Sequence, residues 1–448
     1  MVKIRPFRGY RYDENKVDIG KAVLPPYELS NEEFKNIFLK ISKYNVIRIY
    51  LGKNLGKTDG ISNGGRYQYS VDLFKSWIEK GCLKQDERPS VYVYSQEFEL
   101  FGRKMERTGF ISLVELEELG KNIFPHEETL QETMINRKIL LEKTRANFGL
   151  IFSLYSNSQK TIEKMLETAK RKPPIADFYT EYEGVRHKLW AITDNGMIEK
   201  IAKEMQNKKL LIADGHHRYK TSLNYSKDHP QDENAKYISM MLVNMGNEGL
   251  TILPTHRLVK GVKNFSIDDF MKKLGRNFET ETIEFGGDEN KIKDLLAVLN
   301  KKNGKHFGMY LGGGKFFMLA VKTEDKRIMD RERDRFSKEW RRLDMNILHT
   351  LILRDILGID TDNMADQCHM EYVKDFSDHA KSCISKVKNG ECQAAFFVNP
   401  IAIDEMKEIT QKGEMIPPKS TCFYPKVYSG VVIYKFDVLD TMNDEKIL

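Results

Sequence analysis

Cysteine is scarce and unpatterned in this chain. The 448 residues hold five, at positions 82, 368, 383, 392 and 422, an odd number with no Cys-x-x-Cys pair. That spacing argues against a disulfide framework and against a structural zinc site, and it fits a reducing compartment. Long apolar runs are missing too. No stretch reaches the length of a membrane span, and the opening Met1-Val2-Lys3-Ile4-Arg5-Pro6 has no secretory-type apolar segment. The reading is a soluble cytoplasmic protein with no membrane partner. A dominant charge sign is also absent, since 72 Lys and Arg stand against 65 Asp and Glu for a net charge of +7. The basic residues are dispersed, with no arginine-rich tail and no basic–aromatic stripe. Nucleic acid is therefore not expected as a partner, whereas small anions are welcome. No Gly-x-Ser-x-Gly elbow, internal repeat or low-complexity linker occurs.

What is present is an ordinary globular composition, 40% hydrophobic and 31% charged, in a chain long enough for two or three cores. Strand patterns at 90–98 and 107–116 suggest a meander, and further strands are expected at 150–155, 188–193, 209–213 and 237–245. Helical patterns fall at about 70–80, about 130–145 and after His216. Beyond residue 260 the expected elements are a helix at about 289–302, a hairpin over 306–322 and one long charged helix over about 333–356. The irregular alternation of strands and helices favours α+β over a doubly wound sheet. A soft boundary is placed near 260, giving regions 1–260 and 261–448.

The most informative stretch is Lys208–Tyr219. A short apolar run ends at Asp214-Gly215, and good helix formers follow, so Gly215 marks a strand turning into a helix. Such a junction directs backbone N–H groups and the positive end of a helix dipole at whatever binds there. His216, His217 and Arg218 come next, although cations are disfavoured at a helix start unless an anion is expected. The alternative is plain local structure, with Asp214 as an N-cap and Gly215 as a turn. The electrostatic argument favours a phosphate site with a carboxylate beside it.

Other stretches offer partners or decoys. Gly52-Lys53-Asn54-Leu55-Gly56-Lys57-Thr58 fails as a P-loop because its first glycine is one position too close and loop chemistry follows. As a lid it would contribute Lys53 or Lys57. Pro125-His126-Glu127-Glu128-Thr129 precedes a helix containing Arg137. Glu127 there is either an ordinary helix-start acid or a general base. Pro417-Pro418-Lys419-Ser420-Thr421 through Pro425-Lys426 forms a proline-framed loop whose lysines and hydroxyls suit an anionic or polar ligand group, if it is not a rigid surface turn.

Several of these pieces occur together in a known order: Arg5-Pro6-Phe7-Arg8-Gly9, Pro25-Pro26-Tyr27, the Pro-His-Glu-Glu-Thr run, Asp214-Gly215-His216-His217-Arg218 and the Pro-Lys-Ser-Thr loop. In this the chain resembles a family of bacterial and protist proteins of unknown function, some members of which are pyrophosphate-dependent L-serine kinases. The Asp-Gly-His-His-Arg segment also looks like the phosphate-binding turn of the ParB/sulfiredoxin-like superfamily. The chain departs from the family pattern at Glu28, where Asp is common, and at Asn136, where an Asp-Arg pair is common.

The resemblance implies a ParB/sulfiredoxin-like catalytic core over 1–260, with a C-terminal α/β region contributing its Pro-Lys-Ser-Thr loop. It also implies phosphoryl transfer from pyrophosphate to L-serine, assisted by Mg²⁺. On that reading Gly215, His216, His217 and Arg218 hold phosphate, and Glu127 or Asp214 accepts the serine proton. His126, Arg137, Lys419, Ser420, Thr421 and Lys426 then complete the anion cradle or hold the amino acid. No metal ligand is assigned, and ATP or ADP stays open as the donor. Two other readings remain: a ParB-like nucleotide-dependent switch or DNA-associated module, and transfer to another small hydroxylated acceptor.

Overall fold

The computed structural model describes residues 1–27, 31–52, 63–127, 131–302, 305–322, 329–359, 369–375 and 379–436. Glu28, Lys53, Lys57, Glu128, Thr129 and Cys368 lie outside the described residues. Two compact units divide the chain. The first comprises Met1–Pro125, Thr129–Leu250 and Pro425–Leu448, and the second His126–Glu128 and Thr251–Tyr424.

The first unit is built on a nine-stranded sheet. Its main path runs Ile123–Phe124, Leu210–Asp214, Ile151–Tyr155, Tyr237–Asn244, Arg103–Glu115, Val91–Leu100, Val185–Ile192 and Ala176–Thr180, with Ile4–Arg5 paired to Arg103–Glu115. Leu210–Asp214 runs parallel to Ile123–Phe124, and Tyr237–Asn244 runs parallel to Ile151–Tyr155. The remaining pairs are antiparallel. Alternating apolar positions decide which face is covered. Val91 and Val93, Ile151, Leu210 and Ile212, and Ile238, Met240 and Leu242 form one core with Ile162, Leu166, Ile201, Met205, Tyr219 and Leu223 from three helices. Each such burial contributes about 1.5–3 kcal/mol. The helices are Thr161–Lys170, Asn195–Gln206 and His216–Asp228. The Asp194 side chain caps the second by accepting from the Met197 N–H at 2.8 Å.

The second unit holds a six-stranded antiparallel sheet in the order Phe278–Glu284, Lys315–Val321, His306–Tyr310, Ala394–Phe397, Thr255–Val259 and Met370–Lys374. Leu258, Tyr310, Phe316 and Phe397 pack there with Leu295 and Leu299 from Ile292–Lys301 and with Ile384 from His379–Lys388. A separate ribbon pairs Thr251–Leu253 with Cys422–Tyr424. Both units thus mix helices with largely antiparallel sheets, the α+β organisation that irregular alternation predicts.

One expected element is replaced. The long helix over 333–356 is instead Lys338–Arg342, Asp344–Ile347 and a π-helical segment, Leu348–Arg354. Ser337 starts a new helix by capping the Trp340 N–H, and Leu343 is extended at φ −69° and ψ 130°. Charge patterning over this stretch cannot reveal that break, because Trp340 is held by tertiary contacts. Its ring stacks on Phe336 at 3.8 Å, and its indole N–H donates to the Met415 carbonyl at 2.8 Å.

Among the described residues no helix is long and apolar enough to cross a membrane.

Candidate phosphate site

Asp214 ends a strand whose four preceding residues are buried, and the strand register shifts between Ile212 and Asp214. A shift of this kind re-aims a side chain at a strand end. The Asp214 carboxylate is held there by two cations. Lys426 Nζ donates to Oδ2 at 2.8 Å, and Arg218 Nη2 lies 3.6 Å from Oδ1. Asp214 is therefore not an N-cap. That position falls to Gly215, at φ 101° and ψ 21°, and the helix it opens has no side-chain cap and no acid in its first turn.

Glycine is required around Arg218 on both sides. A Cβ on Gly215 would stand 2.9 Å from Ile151 Cδ1 and 3.1 Å from Arg218 Nη2. A Cβ on Gly149 would stand 2.6 Å from Arg218 Nη1. The guanidinium thus fills a slot between two bare backbones.

Two more cations act on the same carboxylate at longer range. Burial, and then the like charge of Arg218, lower the pKa of Arg137, while Asp214 opposes the shift. Arg107 is fully buried and is lowered to about 10 by burial, again opposed in part by Asp214. Lys426, Arg218, Arg137 and Arg107 outnumber the two carboxylates that act on them, Asp214 and Glu183, and phosphate oxygens suit such an electropositive environment. His216 is buried and His217 half-buried in the first turn of the same unit.

Arg107 and Gln96, whose Oε1 accepts from Arg107 Nη2, escaped the reading of the sequence. They lie inside strands whose neighbours are aromatic and β-branched. The available signal was an arginine at an inward register position of the Arg103–Glu115 strand.

The other proposed residues group in the second unit. His126 Nε2 shares a hydrogen bond of 2.9 Å with Thr421 Oγ1 and lies 3.6 Å from Glu127 Oε1. Arg257, fully buried, donates from Nη2 to Ser420 Oγ at 3.4 Å, from Nη1 to the Thr255 carbonyl at 2.5 Å and from Nε to His349 Nε2 at 3.3 Å. Its guanidinium faces the Tyr372 ring at 4.7 Å, and Lys419 faces the same ring at 5.1 Å. Burial lowers Arg257 to about 10 and keeps His349 neutral. The proline-framed loop is thus divided: Lys419, Ser420 and Thr421 belong to the second unit, and Lys426 to the first. Arg257, His349 and Tyr372 were not foreseen, since they come from three distant segments.

Neither set coincides with the cavity of about 400 Å³ in the first unit, lined by Asp18, Asp177, Phe178, Tyr179 and Tyr182 among others. Carboxylates and aromatic rings dominate that lining, which does not suit phosphate. Among the described residues no group of three or more His, Cys, Asp or Glu side chains could hold a metal ion.

A family model described as a protein of unknown function (DUF1015) matches residues 4–346. No curated protein matches the chain. Among solved structures, a free serine kinase in complex with AMP aligns at 14% identity and a TM-score of 0.31, over 70% of this chain and 86% of its own. A conserved hypothetical protein from Pyrococcus furiosus aligns at 16% identity and 0.32, over 73% and 95%. SbnI with a C-terminal truncation, from Staphylococcus aureus, aligns at 11% identity and 0.33, over 72% and 86%.

Proposed function

The chain belongs to the DUF1015 family of proteins of unknown function, and we propose that it transfers a phosphoryl group from pyrophosphate to the hydroxyl of free L-serine. The observation that carries this reading is the Asp214 carboxylate, paired with Lys426 and Arg218 at a glycine-opened helix start. Phosphoryl transfer asks a protein mainly for positioning and charge neutralisation, and this set supplies both. The serine oxygen attacks the near phosphorus, the bond to the bridging oxygen breaks, and inorganic phosphate leaves with O-phosphoserine as the other product. Lys426, Arg218 and Arg137 neutralise the donor oxygens, with the N–H groups of the His216–Asp228 helix start beside them. Asp214, or in its place Glu127, takes the hydroxyl proton.

Mg²⁺ fits this scheme as a companion of the donor. At phosphates it ordinarily takes only one or two carboxylates and fills its other positions from phosphate and water. A carboxylate not engaged as the base would serve as such a ligand, and the metal would supply further charge neutralisation. Ser420, Thr421, Lys419, His126 and Arg257 form a second polar set, within the second unit, suited to a small polar ligand.

Phosphorus NMR of the purified protein with serine, Mg²⁺ and pyrophosphate, ATP or ADP in turn tests the proposal. O-phosphoserine is the expected product with pyrophosphate. Its absence with every donor overturns the reading, and turnover with a nucleotide alone would replace the donor.

A further inference from the structure

Arg107 is an expensive residue to place where it lies. It sits inside the Arg103–Glu115 strand at 0% exposure, and burial lowers its guanidinium only to about 10, so it remains charged at neutral pH. A buried charge is costly unless its donors are well used, and an apolar residue of similar volume is commonly at least as stable there. Its contacts point to what the charge does. Nη2 donates both to Gln96 Oε1 and to the carbonyl of Pro425, and the guanidinium lies 4.6 Å from the centre of the Phe152 ring.

Gln96 extends the arrangement by one link. Its Oε1 accepts from Arg107, which leaves the amide nitrogen to point the other way, and Nε2 donates to the Lys426 carbonyl at 2.8 Å. Two consecutive carbonyls of the returning segment, at 425 and 426, are therefore gripped by two adjacent strands of the main sheet. Lys426, anchored at its backbone, then spans to Asp214 Oδ2. The long lysine stem is flexible by nature, and fixing its root removes much of that freedom.

We infer that Arg107 is a positioning residue for the phosphate site: with Gln96 it fixes the backbone at Pro425 and Lys426 and so aims the Lys426 ammonium at Asp214. Nη2 alone makes both bonds, so a side chain without a donor, such as methionine, loses both holds at once. A lysine ammonium carries several donors and keeps the charge, so it preserves part of the hold. The role of this site in phosphoryl transfer rests on the function proposed above, but the aiming of Lys426 can be measured without it.

The experiment uses the full chain and the variants Arg107→Met, Arg107→Lys and Gln96→Leu. Each is treated with a limiting amine-acylating reagent, and modification of Lys426 is read by mass spectrometry against Lys170 and Lys188 in the same unit. Lys426 is buried and carboxylate-paired, so it reacts slowly in the unaltered protein. In Arg107→Met its acylation should rise about tenfold, the factor for losing one charge-assisted tether, and in Arg107→Lys by less, while the two reference lysines keep their rates. Gln96→Leu should raise it as well, and it decides the matter if the Arg107 variants do not fold. Unchanged Lys426 protection overturns the inference, and so does a parallel rise at all three lysines, which would mark general loosening.

Calorimetric titration with pyrophosphate adds a second readout. Arg107→Met should weaken binding in the otherwise unaltered chain and add nothing on a Lys426→Met background. If the unaltered protein bound no pyrophosphate, pyrophosphate would fall as the donor, and the acylation result would still decide the role of Arg107.

Discussion

Alanine at position 215 would meet two separate obstacles, and their sizes can be worked out in advance. The backbone there has φ 101°, a region in which an ordinary side chain costs about 1–2 kcal/mol. The new Cβ would also stand 2.9 Å from Ile151 Cδ1 and 3.1 Å from Arg218 Nη2. Ile151 is fully buried in the main sheet and can yield little, so Arg218 must give way and swing from Asp214. Together the effects amount to about 2–5 kcal/mol, with roughly 2–4 °C of melting temperature lost for each kcal/mol in a unit of this size. Gly149→Ala separates the two terms. Its Cβ would press on the same guanidinium from the other side, at 2.6 Å, but without a left-handed backbone. Circular-dichroism melting combined with pyrophosphate calorimetry is the assay. Both variants should bind pyrophosphate more weakly, and only Gly215→Ala should carry the backbone cost as well. The reasoning fails if Gly215→Ala melts with the unaltered protein and both variants bind as it does.

Three further outcomes are expected. Lys426→Met removes the donor on Asp214 Oδ2 and should weaken pyrophosphate binding by roughly 1.5–3 kcal/mol, read by calorimetry. Thr421→Val breaks the hydrogen bond to His126 and should cost the second unit about 1 kcal/mol in urea unfolding. Acid should destabilise the first unit through His187, which burial, and then the charge of Arg107, hold down to about 3 against an ordinary 6.5. Between those values the unfolded chain binds a proton that the folded chain refuses. Stability therefore rises with pH across the window, by about 1.4 kcal/mol per pH unit for this group, and levels off above 6.5. Urea midpoints taken on both sides of pH 6.5 check this, and His187→Asn should flatten the profile.

The parts legible in the sequence were those set by local pattern. The apolar run before Asp214, the turn at Gly215 and the following helix appear as Leu210–Asp214 and His216–Asp228, and the glycine-turned hairpin appears as His306–Tyr310 with Lys315–Val321. Long-range pairing decided the rest. Lys419 and Lys426 look alike in one loop, yet Lys426 joins Asp214 because the segment after Tyr424 is sewn into the first unit. Leu24 and Ser429 exchange backbone hydrogen bonds, and Tyr434 pairs with Asn147. Arg107 was invisible for a related reason: the carbonyls that account for its burial lie more than 300 residues away, the Pro425 bond spanning 318 positions.

The division of the chain also sets an order in time. Asp214 and Lys426 are 212 positions apart, and all of the second unit except His126–Glu128 is synthesised between them. A ribosome therefore makes the carboxylate and most of its sheet long before the ammonium exists. Closing a disordered loop as long as 251–424 would cost roughly 4–5 kcal/mol. The second unit removes that cost by pairing its own two ends, Thr251 with Tyr424, in one short ribbon. Folding of the inserted unit then delivers Pro425 next to the point where the chain departed, and the last segment docks as if after a tight turn. An unfinished chain ending anywhere before residue 426 would carry the acid without its lysine, so completion of the site waits on the segment made after the second unit.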